Sequence, residues 1–170
     1  TSLKWKAIYQ DIGYKVFLTS TLSRHGFESL SQSLKGKINL FWGHSGVGKS
    51  SLFNSLYPSL NLKVGLISSF NQKGKHTTVT NYLIKVEKDT YIIDTPGIRE
   101  IDPYGIHRRD LGHYFKEFSE FTSGCKFSTC THNHEPGCMV IEAVQSGKIS
   151  EIRYNSYLRI LETIEDDIIF

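Results

Sequence analysis

The sequence predicts an α/β fold with a mostly parallel sheet and helices on both faces, and three observations carry that prediction. A short apolar strand, Ile38-Asn39-Leu40-Phe41-Trp42, enters a glycine-rich loop, Gly43-His44-Ser45-Gly46-Val47-Gly48-Lys49-Ser50, and leaves it as an amphipathic helix over Ser51–Tyr57. A second strand–loop–helix unit precedes it, over Tyr14–Thr19, Ser20–Gly26 and Phe27–Leu34. Downstream, a further apolar strand, Tyr91-Ile92-Ile93, ends in Asp94-Thr95-Pro96-Gly97.

Composition sets the outer bounds. At 170 residues the chain can hold one domain plus a small appendage, with a real core. A net charge of +3 is mildly basic, so nucleic acid is allowed as a partner but not demanded. No apolar run approaches the ~20 residues of a membrane span, and Thr1-Ser2-Leu3-Lys4-Trp5-Lys6 lacks the apolar core of a signal peptide. Three cysteines, close together and odd in number, do not make a disulfide framework, so a reducing cytoplasm is the expected compartment.

The elements follow in order. Leu3–Gln10 reads as a helix broken by Gly13, and Tyr14–Thr19 as a strand. Phe27, Leu30 and Leu34 have helical spacing, and Gly36 stops that helix. Ile38–Trp42 reads as a short buried strand, and Pro58 ends the helix after the glycine loop. Asn61–Thr78 is polar and basic and reads as a long functional loop. Asn81–Val86 and Tyr91–Ile93, joined by Glu87-Lys88-Asp89, form a hairpin. Near the end, Val140–Gln145 is a short helix with Gly147 behind it, and Ser150 caps a final amphipathic helix over Glu151–Leu161. The acidic run Glu162–Asp167 reads as a solvated end.

The glycine loop matches G-x-x-x-x-G-K-[ST], the phosphate-cradling P-loop. Its glycines let backbone N–H groups turn inward as a nest for phosphate oxygens. Lys49 is spaced to reach the β- and γ-phosphates, the Ser50 hydroxyl to ligate Mg²⁺, and the helix N-terminus adds its positive end. A glycine-rich turn without a ligand gives the same letters, but not the strand and helix around them.

Asp94-Thr95-Pro96-Gly97 decides the nucleotide class. In P-loop proteins the Asp at this strand end holds Mg²⁺ through water, and the following Gly N–H senses the γ-phosphate. An ATPase more often carries Asp-Glu here, whereas Thr95 follows Asp94. A P-loop ATPase with a zinc knuckle is therefore the lesser alternative to a GTPase.

Cys125-x4-Cys130-x-His132-x5-Cys138 supplies three thiolates and an imidazole. That is a complete tetrahedral set for one structural Zn²⁺, with no position left for water. Three ordinary thiols and a surface histidine are the alternative, and His134 is a competing ligand. The segment is loop-like and offers little core of its own, so metal is expected to fold it.

Together these motifs resemble the RsgA (YjeQ) family, circularly permuted GTPases that assist late maturation of the bacterial small ribosomal subunit. The resemblance runs from about Ile12 to Tyr157, through Gly43–Ser51, Gly74-Lys75-His76-Thr77-Thr78, Ile93–Gly97, Phe115-Lys116-Glu117-Phe118, the Cys/His set with Glu135-Pro136-Gly137-Cys138, Gly147-Lys148-Ile149-Ser150 and Arg153-Tyr154. It implies a P-loop GTPase domain over residues 1–120 and a small zinc-binding helical domain over residues 121–170. It also implies GTP and GDP with Mg²⁺, the small subunit and its rRNA as partners, no membrane, and a monomer.

By resemblance, the Ser20-Thr21 backbone lines the guanine pocket, and its position before the P-loop marks the permutation. Ile98 stands where Ras-like enzymes carry the water-orienting Gln, and His76, in a switch loop over residues 63–80 that senses the γ-phosphate, is the candidate replacement. An RNA-facing or solvent-exposed His76 is the alternative. Thr77 or Thr78 ligates Mg²⁺ in the GTP state. Lys73, Lys75, Arg99, Arg108 and Arg109 are candidates for rRNA contact. The guanine-reading Asn-Lys-x-Asp is absent from these residues. The chain therefore looks like a fragment lacking that motif and the β-barrel of OB type before it, with weak, poorly selective nucleotide binding. A nucleotide-gated RNA- or ribosome-binding module with little intrinsic hydrolysis is the alternative function.

Overall fold

The apolar spacing that marks helices in the sequence marks them in space. The structure is a computed structural model that describes residues 2–44, 46–60, 82–94 and 105–164. In chain order its elements are α1 (Ser2–Asp11), α2 (Phe27–Leu34), β1 (Ile38–Leu40), α3 (Lys49–Leu56), β2 (Tyr82–Glu87) and β3 (Thr90–Asp94). Then come α4 (Ser119–Thr122), α5 (Met139–Gln145) and α6 (Glu151–Thr163). Short 3-10 turns lie at Pro58–Leu60, Leu111–Tyr114 and Lys116–Phe118. Contacts divide the chain into two compact units, one of Thr1–Ser2 and Lys15–Ile101, the other of Leu3–Tyr14 and Asp102–Phe170.

The first unit is built on a three-stranded sheet in the order β1-β3-β2. β1 runs parallel to β3, with Leu40 opposite Ile93, and β2 pairs antiparallel to β3 as a hairpin. Asp89 turns that hairpin at a φ of 56°, a left-handed position that aspartate tolerates better than most residues. Strand register puts Asn39, Ile84 and Ile92 on one face. Ile92 is buried there with Phe53 and Tyr57 of the α3 segment, and Phe41 packs edge-on to Phe53 at 4.3 Å. The Asn39 side-chain amide donates to the carbonyls of Leu34, Lys37 and Tyr91, fastening the end of α2 to the strand pair.

Two expectations change in this unit. Tyr14–Thr19 forms no strand, because no neighbour among the described residues gives it a ladder. β1 is shorter than the expected strand and not buried: Ile38 and Leu40 are 64% and 56% exposed, since among the described residues β1 is an edge and its second face is uncovered. The expected hairpin is present, so the three described strands hold one parallel and one antiparallel pair. The long loop expected over Asn61–Thr78 lies outside the described residues.

Among the described residues the second unit has the larger core: Leu111, Phe115, Phe118, Val140, Ala143, Ile149, Tyr157 and Leu161 are buried together with Cys130 and Cys138. This corrects the expectation that the cysteine segment lacks a core, for two of its thiols belong to one. The cap of α6 also differs. Ser150 makes no side-chain cap; its carbonyl instead accepts from the N–H groups of Arg153 and Tyr154. At the other end Arg108 Nη1 donates to the carbonyls of Leu161 and of the C-cap Ile164 at 2.9 and 3.0 Å, adding to the cap bond from the Ile164 N–H to Leu161. Arg108, a candidate for rRNA contact, thus holds a helix end through Nη1.

Candidate nucleotide loop and metal centre

β1 delivers the glycine loop at its carboxyl end, and α3 begins at Lys49. The turn is possible because Gly46 and Gly48 sit at φ 81° and 97°, where a side chain would be strained. Gly48 is the N-cap of α3, and its carbonyl accepts from the Leu52 N–H. Lys49 Nζ turns back over the loop, donating to the carbonyl of Gly43 and, at 2.8 Å, to that of His44. Gly43, His44, Gly46, Val47, Gly48, Lys49, Ser50 and Ser51 therefore form one loop and first helical turn.

Parallel pairing brings a second predicted residue to the same end of the sheet. With Leu40 opposite Ile93, the strand carrying Asp94 as its last residue finishes beside the strand that feeds the glycine loop. Such carboxyl edges of parallel strands are where α/β folds bind their ligands. Ser20 and Thr21 lie in the loop before α2, which closes on itself: the Ser20 N–H donates to the His25 carbonyl, and Ser23 N–H to Ser20 Oγ at 3.3 Å. Ser45, His76, Thr77, Thr78 and Gly97 lie outside the described residues, as does the switch loop.

The ligand atoms of Cys125, Cys130, His132 and Cys138 all lie within 4.8 Å of one another. Cys125 Sγ is 3.7 Å from His132 Nδ1 and 4.0 Å from Cys138 Sγ, and Nδ1 is 3.4 Å from Cys138 Sγ. Ligands at Zn–S ~2.3 Å and Zn–N ~2.0–2.1 Å in a tetrahedron stand about 3.5–3.8 Å apart, so the set fits one zinc ion. His132 belongs to the cluster and turns its Nδ1 toward the sulfurs, whereas His134 is exposed and outside it. Burial pushes the Cys130 thiol up to about 12 and also raises that of Cys138, while it lowers His132, favouring the neutral imidazole that a metal requires.

What holds the imidazole comes from outside the ligand pattern. Phe118 meets its ring edge-on at 5.8 Å. Gly112 leaves room for it: a Cβ there would stand 2.8 Å from His132 Cδ2 and 2.9 Å from Nε2. From α6, the hydroxyls of Tyr157 and Tyr154 donate to the carbonyls of Thr131 and His132. Sequence reasoning missed these supports. The one available signal was the spacing of Tyr154 and Tyr157, which puts both on one face of a helix.

Residues 1–104 match the family model described as RsgA GTPase. The chain belongs to the RsgA GTPase family. Among the RsgA proteins, the small ribosomal subunit biogenesis GTPase RsgA 2 of Bacteroides thetaiotaomicron is 46% identical over 94% of this chain and 51% of its own length. RsgA of Shewanella oneidensis is 43% identical over 93% of this chain and 45% of its own length. The crystal structure of YjeQ from Thermotoga maritima superposes with a TM-score of 0.78 at 38% identity, covering 95% of this chain and 52% of that one. YloQ, solved as a circularly permuted GTPase, gives a TM-score of 0.70 at 30% identity over 95% of this chain and 49% of that one. The fold is that of a circularly permuted GTPase, and the chain spans about half the length of the curated RsgA relatives it matches.

Proposed function

We propose that this chain carries the phosphate-binding, switch and zinc-binding parts of a GTPase acting in late maturation of the small ribosomal subunit. One observation carries the reading: β1 and β3 pair in parallel, so the Lys49 loop and the strand end at Asp94 share one edge of the sheet. The names of the relatives, small ribosomal subunit biogenesis GTPases, support the substrate and the partner.

In this reading the backbone of Gly43–Ser51 cradles the phosphates and Lys49 neutralises the β- and γ-oxygens. Ser50, with Thr77 or Thr78, ligates Mg²⁺, and Asp94 holds it through water. The Gly97 N–H reports loss of the γ-phosphate, and His76 in the switch loop orients the attacking water. Ser20 and Thr21 line the base pocket with backbone. Cys125, Cys130, His132 and Cys138 hold one structural zinc, which stabilises the fold around it and takes no part in hydrolysis. The protein acts as a cytoplasmic monomer that meets rRNA. Among the described residues, no helix is long and apolar enough to cross a membrane.

The deciding experiment measures GTP turnover with and without small ribosomal subunits, for the chain and for His76→Ala. Slow turnover that subunits accelerate, and that His76→Ala removes while nucleotide affinity stays, supports the proposal. Turnover indifferent to subunits leaves a nucleotide-gated binding module. Turnover indifferent to His76→Ala takes that residue out of the mechanism.

A further inference from the structure

His132 sits at a φ of 53°, in the left-handed region that residues with a side chain rarely occupy. Such a conformation persists only where the surroundings over-determine it. They do so here, peptide plane by peptide plane. Glu135, which is no member of the ligand set, gathers the donors. Its Oε1 accepts from the Thr131 N–H and the Thr131 hydroxyl, both at 2.6 Å, and its Oε2 from the N–H groups of Asn133 and His134 at 3.0 and 3.1 Å. The carbonyls of Thr131 and His132 are held from the opposite direction by Tyr157 and Tyr154 of α6.

Those bonds fall on consecutive peptide units. The unit before Thr131 is held by Glu135, that between Thr131 and His132 by Tyr157, and that between His132 and Asn133 by Tyr154 and Glu135 together. Glu135 also holds the next one. The backbone angles of His132 are the relation between the two units that flank it, so both are fixed without any metal bond. We propose that Glu135 is a positioning residue for the zinc ion: without ligating it, the carboxylate holds the 131–134 backbone in the shape that directs His132 Nδ1 at the Cys125 and Cys138 sulfurs. The ion then meets a preformed set and does not have to order the loop itself. This rests on zinc being the occupant of that set.

The substitution that isolates the role is Glu135→Gln. It keeps the size of the side chain but replaces one accepting oxygen by an NH₂, which opposes N–H donors instead of pairing with them. The experiment titrates Co²⁺ into the chelator-stripped 170-residue chain and then displaces it with Zn²⁺. The wild-type chain tests occupancy by itself: tetrahedral Co²⁺ bands with thiolate charge transfer are expected, and their absence removes the zinc reading on which the proposal stands. For Glu135→Gln, affinity is expected to fall about 10- to 100-fold, the usual effect of losing an outer partner. The saturated spectrum should match wild type, because no ligand is lost. Wild-type affinity in Glu135→Gln, which a purely structural carboxylate gives, overturns the proposal, as does a saturated spectrum with a changed ligand set. If Glu135→Gln does not fold, Glu135→Asp decides. It keeps the charge but draws the carboxylate back by one methylene, so an affinity loss of the same sign is expected and wild-type affinity overturns the proposal.

Discussion

Arg153 Nε donates to Glu117 Oε1 at 2.6 Å, and both side chains are largely out of solvent, 14% and 8% exposed. The guanidinium also lies 4.8 Å from the centre of the Phe115 ring and 5.3 Å from that of Tyr9 on α1. Two stretches far apart in sequence, Phe115–Phe118 and Arg153-Tyr154, are thus one contact in space. Glu117 Oε2 is buried without a hydrogen-bond partner, so the carboxylate depends on Arg153. Removing one member of such a pair strands a buried charge. Glu117→Ala or Arg153→Met should each cost about 3–5 kcal/mol in urea unfolding, whereas replacing both by apolar residues should cost less than either alone. A double variant as unstable as the sum of the singles contradicts this.

Gly112→Ala tests the space beside the zinc ligand. The added Cβ would stand within 2.9 Å of the His132 ring, closer than side-chain carbons come. Either the ring or the 3-10 turn must move. Overpacking of this kind costs about 1–3 kcal/mol. Displacing the imidazole should also weaken zinc about 10-fold or more in competition with a chelator, by the scale of outer-partner effects. A variant that binds zinc as wild type shows that the turn yields instead of the ring.

Acid should remove what the Glu135 carboxylate contributes to stability only at low pH. Burial alone would raise this carboxyl, but hydrogen bonds from Thr131, and from the backbone up to His134, outweigh it and hold it at about 2 against an ordinary 4.5. A depressed value in the folded state means stability that is complete above the unfolded value. It is then lost as pH falls from 4.5 toward 2. With zinc removed by chelator, the stability gap between wild type and Glu135→Gln should stay constant at neutral pH and close across that window. A gap that persists to the bottom of it means that the charge is not what Glu135 contributes.

Much of this was legible in the sequence because local physics decided it. Phe27–Leu34 became a helix between the residues that its apolar spacing named, Pro58 ended α3, and the hairpin turned at Asp89. The Cys125, Cys130, His132 and Cys138 cluster could be read because a metal site needs particular residue types at short range. What failed was set by long-range neighbours. Tyr14–Thr19 has strand composition but no ladder among the described residues, and periodicity cannot say whether a partner is present. Arg108 reads as surface charge until the end of α6 is placed beside it, 53 residues along. The supports of His132 are invisible for the same reason: Gly112 and Tyr154 stand far from it in sequence and acquire meaning only when packed.

The glycine loop gives the last prediction. Lys49 Nζ lies within the loop, on the carbonyls of Gly43 and His44; in the proposed function it exchanges them for phosphate oxygens. Hydrogen bonds to charged groups contribute ~1.5–3 kcal/mol each, so Lys49→Ala, losing two, should weaken triphosphate binding about 10²–10⁴-fold. Zinc affinity should not change, because the metal ligands belong to the other compact unit. The same titration with a fluorescent nucleotide reads base selectivity. These 170 residues contain no Asn-Lys-x-Asp, whose aspartate would make two charged hydrogen bonds to guanine. By the same scale, binding of GTP by this chain should be weaker by about 10²–10⁴ than with that aspartate present, and ATP should compete with it. Tight binding of GTP with ATP excluded shows instead that Ser20, Thr21 or another part of this chain reads the base.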